Sequence, residues 1–322
     1  MADHTNTVHV VLGASGAAGS AILRALVDAG LAARGVNRSG RPAWAPVGAE
    51  WVSADLRDPR ALASAIAGGS VVYMAAQPPY HRWPEEFPAL LESVVGACAG
   101  AGARLVMVDN LYAYGPGSSP MREDTPQRAT DRKGRVRATM ADSLLAAHGA
   151  GRVEVTIGRA SDYFGPHAEN SGITALAIEP VAGQGALRWM ASMDVPHSCA
   201  YLPDIARGFV ALGTADDASG RVWHLPHAPA ATGRGFLGLV NDQLPEPRKT
   251  AVVSTTMLRL AAPFHRISRQ SLPIAYQWTD PFVVDDSAFR ARFGIGHTPL
   301  AQAVAATVAH ERGLAGTVGP AA

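Results

Sequence analysis

The sequence is poor in cysteine, in lysine and in net charge, and each shortage closes a route. Cys98 and Cys199 are the only cysteines among 322 residues, too few for a disulfide framework and without metal-ligand spacing, so no metal site is expected. They read as small buried hydrophobes in a reducing compartment. Lys133 and Lys249 are the only lysines, so arginine carries nearly all the positive charge. The formal net charge is +1 and 17% of residues are charged, which leaves no basic footprint for nucleic acid and no acidic tail. A membrane span is also missing: residues 94–108 come nearest, and Gly96, Gly100, Gly102 and Arg104 break them into a helix end and a strand. Residues 1–7 lack a basic stretch followed by an apolar one, so no secretory leader is evident and a cytoplasmic location is expected.

What is plentiful is apolar surface. Hydrophobic residues make up 48% of a 33.5 kDa chain, enough for one large domain or a domain with a lobe. The most informative stretch lies near the start: Gly13-Ala14-Ser15-Gly16-Ala17-Ala18-Gly19. An apolar run, residues 8–12, precedes it and reads as a buried strand; residues 20–27 follow with helical spacing of their apolar side chains. Strand, glycine turn and helix together place a pyrophosphate on a helix N-terminus. Gly13 allows the sharp turn, Gly16 lets the backbone approach a phosphate, and Gly19 lets helix and strand pack closely. Hydride chemistry with a bound dinucleotide is the expectation this creates.

Strand and helix patterns then alternate. Residues 33–37, 50–53, 71–75, 104–108 and 153–157 read as strands, and 59–67, 85–100 and 135–148 as helices. Such alternation predicts an α/β fold, a doubly wound parallel sheet of the Rossmann kind, with ligands at the carboxyl ends of its strands. Beyond about residue 160 the regularity breaks. The expected organisation is a dinucleotide-binding core over 1–160, with 195–225 returning to it, and a small C-terminal substrate lobe from 161–194 and 226–322, all in one compact unit.

The residues after the second strand bear on which dinucleotide is bound. An NAD-selective site carries Asp or Glu there for the ribose hydroxyls. This chain has Asn37-Arg38-Ser39-Gly40-Arg41, and Arg38, Ser39 and Arg41 offer donors suited to a 2′-phosphate. NADP(H) is therefore the expected cofactor. Asp55 and Leu56, after the third strand, are expected to flank the adenine, and Ala75, Ala76 and Gln77, after the fourth, to lie along the cofactor.

With the stretches 109–116, 158–166 and 195–206 added to the glycine loop, the chain resembles the extended and atypical short-chain dehydrogenases/reductases, in particular the NAD-dependent epimerase/dehydratase group. The resemblance implies a Tyr-x-x-x-Lys pair with a Ser or Thr: the tyrosine as acid or base, the lysine on the nicotinamide ribose. Neither lysine here has a tyrosine four residues before it. By position Lys133 stands for the tyrosine, Arg137 for the lysine and Asn110 for the Ser/Thr. Arg137 can keep a charge beside the ribose; Lys133 is a poor substitute for a phenol and reads as a surface residue. Asn110 can hydrogen-bond a carbonyl oxygen without delivering a proton.

Three sources of the proton stay open. Tyr112 or Tyr163 can replace the lost tyrosine, with an aromatic wall as the alternative reading; Tyr114 matches a position usually structural or substrate-facing. His197 or an ordered water is the second source. The third is the substrate's own phenol or enol, as in a tautomerising aromatic polyketide. That route is similar to the atypical ketoreductases that act on angucyclinones. Ser161, Asp162, Trp189, Met193 and Trp278 are then candidate contacts to a large flat substrate. The leading expectation is an NADPH-dependent ketoreductase acting on an aromatic or polycyclic ketone, as a monomer or homodimer without nucleic-acid or membrane partners. The alternatives are a sugar-nucleotide epimerase or dehydratase, and a non-catalytic protein that senses NADP(H).

Overall fold

The expected alternation builds a seven-stranded parallel sheet in the computed structural model, which describes residues 7–168 and 171–317. The segment read for a leader, residues 1–6, lies outside the described residues. The strands are β1 (His9–Leu12), β2 (Ala33–Asn37), β3 (Glu50–Ser53), β4 (Val71–Met74), β5 (Arg104–Asn110), β6 (Val155–Ala160) and, much later in the chain, β11 (Val222–His224). Their order is β11-β6-β5-β4-β1-β2-β3. The order reverses between β1 and β4, and in sheets of this type ligands bind in the crevice beyond that switch point. The seventh strand was missing from the expectation because three residues, Val222-Trp223-His224, are too short to show a period.

The helices that cover this sheet are α1 (Ala17–Asp28), α2 (Pro59–Ile66), α3 (Trp83–Ala101), α4 (Arg132–Gly149) and α5 (Leu202–Thr214). In α1 the buried residues are Gly19, Ser20, Ile22, Leu23 and Leu26, one face at helical spacing. Asp58 caps α2 by accepting the N–H groups of Arg60 and Ala61, with Pro59 at the first helical position. Helix α4 begins at Arg132, three residues before the expected start at 135. Gly134 reads as a breaker in the sequence, but its cost of about 1 kcal/mol is readily offset in the first two turns, which bury Lys133 and Arg137.

By its internal contacts the chain divides into two units: Met1–Ala113, Arg132–Arg159 and Ile205–Leu225 form the first, and Tyr114–Asp131, Ala160–Asp204 and Pro226–Ala322 the second. The second holds β7 (Tyr163–Phe164), β8 (Leu187–Met190), β9 (Pro196–His197), β10 (Ala200–Tyr201), β12 (Ala231–Thr232) and β13 (Thr250–Val253), paired two by two as β7 with β10, β9 with β12 and β8 with β13. Its helices are α6 (Gly233–Asn241), α7 (Thr255–Ala261), α8 (Arg266–Ser271), α9 (Tyr276–Thr279), α10 (Ser287–Phe293) and α11 (Leu300–Thr317). Its core gathers Phe164, Trp189, Met193, Phe236, Trp278 and Val304. Asp204, buried in the first turn of α5, accepts both the N–H (2.6 Å) and the hydroxyl (2.7 Å) of Thr298 and so ties down the segment before α11. Among the described residues no helix is long and apolar enough to cross a membrane.

Candidate active site

The glycine loop is shaped by two glycines and left open by the third. Gly13 has a φ of +80°, and a Cβ there falls 2.6 Å from the Ala76 backbone. A Cβ on Gly19 falls 2.2 Å from the Gly13 carbonyl oxygen. Both positions are closed to any side chain, which is how β1, β4 and α1 come so close. Gly16 differs: a Cβ there meets only the Gly13 oxygen, at an ordinary 3.5 Å. Its bareness serves no contact inside the chain. Gly16 is also the N-cap of α1 and supplies no side-chain acceptor to the first-turn N–H groups. Ser15 and Gly16 are exposed, and Ala17 and Ala18 half-buried. A cradle of N–H groups at a helix start, reachable and unfilled by its own side chains, suits a phosphate.

At the end of β2, Asn37 is buried, and both its side-chain oxygen and nitrogen lack a hydrogen-bond partner. A buried amide in that state costs about 1–3 kcal/mol unless a ligand satisfies it. Arg38, Ser39 and Arg41 follow, all exposed. Leu56 is buried, whereas Asp55 is closed into an ion pair: Arg57 donates through Nε (3.0 Å) and Nη2 (2.6 Å), and this holds the Asp55 carboxyl down at about 2. Ala75 and Ala76 are half-buried at the end of β4, and Gln77 is exposed.

Behind Gln77 stands a buried charge network. Asp109 accepts from Arg137 Nη1 at 3.2 Å and from Arg159 Nε at 2.8 Å, and all three residues are buried. The Arg137 guanidinium also donates to the Gln77 side-chain oxygen (3.3 Å) and lies over the rings of Trp83 (4.2 Å) and Phe87 (4.6 Å). Arg137 was expected to hold a charge beside the ribose. Its two terminal nitrogens face Asp109 and Gln77, so it orients the Gln77 amide. Lys133, expected at the surface, is 6% exposed, with Nζ 3.5 Å from the centre of the Tyr80 ring. The Tyr80 hydroxyl donates to that of Tyr112 at 3.4 Å. Asn110 accepts the Tyr112 N–H through its side-chain oxygen (3.0 Å). Tyr80, Arg159 and the burial of Lys133 escaped the sequence reading. An arginine inside an otherwise apolar strand was the available signal for Arg159; for Tyr80, which reaches its neighbours only through the fold, there was none.

Within the second unit several expected substrate contacts are core instead. Tyr114 is fully buried. Trp189, Met193 and Trp278 are 2%, 8% and 8% exposed and pack in one apolar cluster, which removes the proposed walls for a flat substrate. His197 is buried and stacked on Trp278 (4.0 Å) and Phe282 (5.1 Å). Its Nδ1 is 3.0 Å from the Gln277 carbonyl and its Nε2 3.1 Å from Asp162 Oδ2. Both ring nitrogens are thus committed to groups of the protein. His197 is therefore a structural residue rather than a donor open to substrate. Asp162 and Tyr163 are half-buried, and Ser161 is buried with its N–H on His227 Nε2 (3.1 Å) and its hydroxyl unpartnered. Among the described residues no three His, Cys, Asp or Glu side chains gather as a metal site.

Residues 9–225, more than half of the chain, match the NAD dependent epimerase/dehydratase family. The chain belongs to that family. No curated protein matches its sequence. Similar folds are found in solved structures. The UDP-glucuronic acid 4-epimerase of Bacillus cereus, in complex with UDP-glucuronic acid and NAD, has a TM-score of 0.78 at 16% identity over 96% of this chain and 100% of that one. The dTDP-glucose 4,6-dehydratase DesIV of Streptomyces venezuelae, a double mutant with NAD and DAU bound, has a TM-score of 0.77 at 19% identity over 96% and 98%. MoeE5 in complex with UDP-glucose and NAD has a TM-score of 0.74 at 20% identity over 95% and 99%. At such identities the likeness is one of fold.

Membership of the epimerase/dehydratase family makes a nicotinamide dinucleotide the group to fit. The open cradle at Gly16 and the unpartnered Asn37 amide are the features of this chain that fit it. The sequence has no Tyr-x-x-x-Lys, the pair that the resemblance to this family implied for proton transfer.

Proposed function

We propose that this chain is an NADP(H)-dependent oxidoreductase that exchanges hydride with an oxygen-bearing carbon of a nucleotide-linked sugar. The observation that carries the reading is the open Gly16 cradle beside the buried, unsatisfied Asn37. The first-turn N–H groups of α1 bind the pyrophosphate, and Arg38, Ser39 and Arg41 take the 2′-phosphate, with no carboxylate at the end of β2 to repel it. The Asp55–Arg57 pair and Leu56 border the adenine. Ala75, Ala76 and Gln77 lie along the dinucleotide, and Arg137 keeps the Gln77 amide in place. When bound, the dinucleotide supplies the hydride donor and acceptor. Asn110, whose side-chain nitrogen stays available while its oxygen accepts Tyr112 N–H, positions the substrate oxygen.

The sugar-nucleotide substrate is favoured by family membership and by three neighbours crystallised with sugar nucleotides or NAD. Reduction of a bulky polycyclic ketone is the second reading. The missing Tyr-x-x-x-Lys favours it, since such a substrate can deliver its own proton, but Trp189, Met193 and Trp278 no longer support it. Incubating the protein with NADP+ or NAD+ and a panel of UDP- and dTDP-sugars, with products followed by mass and NMR, tests the proposal. A keto-sugar or epimer is the expected product. NADPH oxidation by polyketide ketones without sugar turnover establishes the second reading, and cofactor binding without any consumption makes the protein a sensor.

A further inference from the structure

Three side chains from three separate elements of the first unit meet where the family's tyrosine is missing. Lys133 comes from the first turn of α4, Tyr80 from the turn before α3, and Tyr112 from the turn after β5. The Lys133 ammonium lies 3.5 Å from the centre of the Tyr80 ring, and Tyr80 donates its hydroxyl hydrogen to the Tyr112 oxygen at 3.4 Å. That oxygen–oxygen distance is long, as proton-transfer contacts commonly are before substrate tightens them. Lys133 is buried, while Tyr80 and Tyr112 are half-buried, so the chain of three runs from the interior outward. The backbone of Tyr112 is pinned by Asn110, the residue in the Ser/Thr place, so phenol and amide arise from one turn.

We infer that Tyr112 exchanges the proton of the substrate oxygen, and that Tyr80 and Lys133 are positioning residues that stabilise the charge left on it. The inference rests on the hydride reading above. In the reducing direction the carbonyl carbon gains the hydride given up by the reduced nicotinamide, and the carbon–oxygen π pair moves onto oxygen. The Tyr112 O–H bond breaks, a new O–H bond forms on the product, and the negative charge stays on the Tyr112 oxygen. The Tyr80 hydroxyl donates to that oxygen, and the Lys133 ammonium over the Tyr80 ring attracts the charge through it. In the oxidising direction the Tyr112 phenolate takes the proton from the substrate alcohol. Other charged groups on the surrounding elements pair locally: Arg137 with Asp109, which it shares with Arg159, Arg82 with Glu86, and Arg132 with Glu85. The cation that lies over the Tyr80 ring is Lys133.

The test is the titration of 13Cζ-labelled tyrosine by NMR in the full chain, with resonances assigned through Tyr80→Phe and Tyr112→Phe. Lys133→Met is expected to move the Tyr112 midpoint to higher pH by about one pH unit, and Lys133→Arg to restore it. A Tyr112 midpoint that is the same in wild type and Lys133→Met overturns the inference, and both variants are checked for the wild-type melting transition. In turnover, Tyr112→Phe is expected to lower kcat by about 10²–10⁴-fold with dinucleotide binding kept, and Tyr80→Phe to shift the pH profile. Wild-type turnover that survives Tyr112→Phe sinks this assignment alone. Failure of the wild type to bind any dinucleotide sinks the hydride reading, and the NMR titration still reports on the three residues.

Discussion

Asp109 holds two buried arginines. Removing its carboxylate takes a buried anionic partner from both Arg137 and Arg159, and breaking one partner of a buried pair costs about 3–5 kcal/mol. Asp109→Asn is therefore expected to lower the denaturant midpoint by an amount in that range, while Glu92→Gln, at an exposed pair with Arg152, changes it by less than about 0.5 kcal/mol. The two thiols give a second residue-scale prediction. Burial pushes the Cys98 thiol up to about 12 and raises Cys199 as well, with the nearby Asp162 carboxylate adding to the latter. Neither is a thiolate at neutral pH, so a disulfide reagent is expected to label no cysteine in the native protein and both after unfolding in guanidinium. This is the buried, reduced character that two isolated cysteines implied from the sequence. The fates of His197 and Trp278 were not legible in the same way. Each is plausible as a ligand by type, and only the stacking of one on the other shows both to be core.

At the scale of elements, the strand–loop–helix at the start was legible because its constraint is local. Gly13 and Gly19 are required by contacts within a few residues and with β4, and such contacts dictate glycine whatever lies elsewhere. The two remaining roles can be separated by experiment. Gly19→Ala forces a Cβ to 2.2 Å from a carbonyl oxygen and is expected to destabilise the fold by about 1–3 kcal/mol in thermal unfolding. Gly16→Ala meets nothing closer than 3.5 Å and is expected to leave unfolding unchanged. Helix α4 was less legible. Its start is set by burying Lys133 and Arg137 against side chains from other elements, and Gly134 hides that start in the local pattern. The proton-transfer side of the site depends on Tyr80, placed by a turn 53 residues before Lys133, so no reading of a contiguous motif could reach it.

At the scale of the molecule, the alternation in the sequence predicts a doubly wound parallel sheet, and the sheet is of that kind; its strand order and seventh strand come from the structure alone. The second unit was read only as irregular, because its strands are two to four residues long and pair in isolated couples. The acid side of the stability profile offers a check on the Asp55–Arg57 pair. Arg57 lowers the Asp55 carboxyl from 3.8 to about 2. A depressed carboxyl stabilises the fold above its unfolded value, and that contribution disappears as pH falls through its folded value. The stability difference between wild type and Arg57→Ala is thus expected to be constant above about pH 5, to shrink as pH falls through 4 towards 2 and to disappear below pH 2, measured by urea unfolding; the pair is exposed, so the difference is modest.

Under the proposed function the 13–19 loop holds a nicotinamide dinucleotide, and Arg38 and Arg41 select its phosphorylated form. Titration of the protein with NADPH and NADH, followed by nicotinamide fluorescence, tests it most directly. Saturable binding with NADPH preferred is the expected result. Also expected are a loss of roughly tenfold or more in Gly16→Ala, and loss of the preference when Arg38 and Arg41 are both changed to Ala. Absence of saturable binding for either cofactor, or binding undiminished in Gly16→Ala, would contradict the proposal.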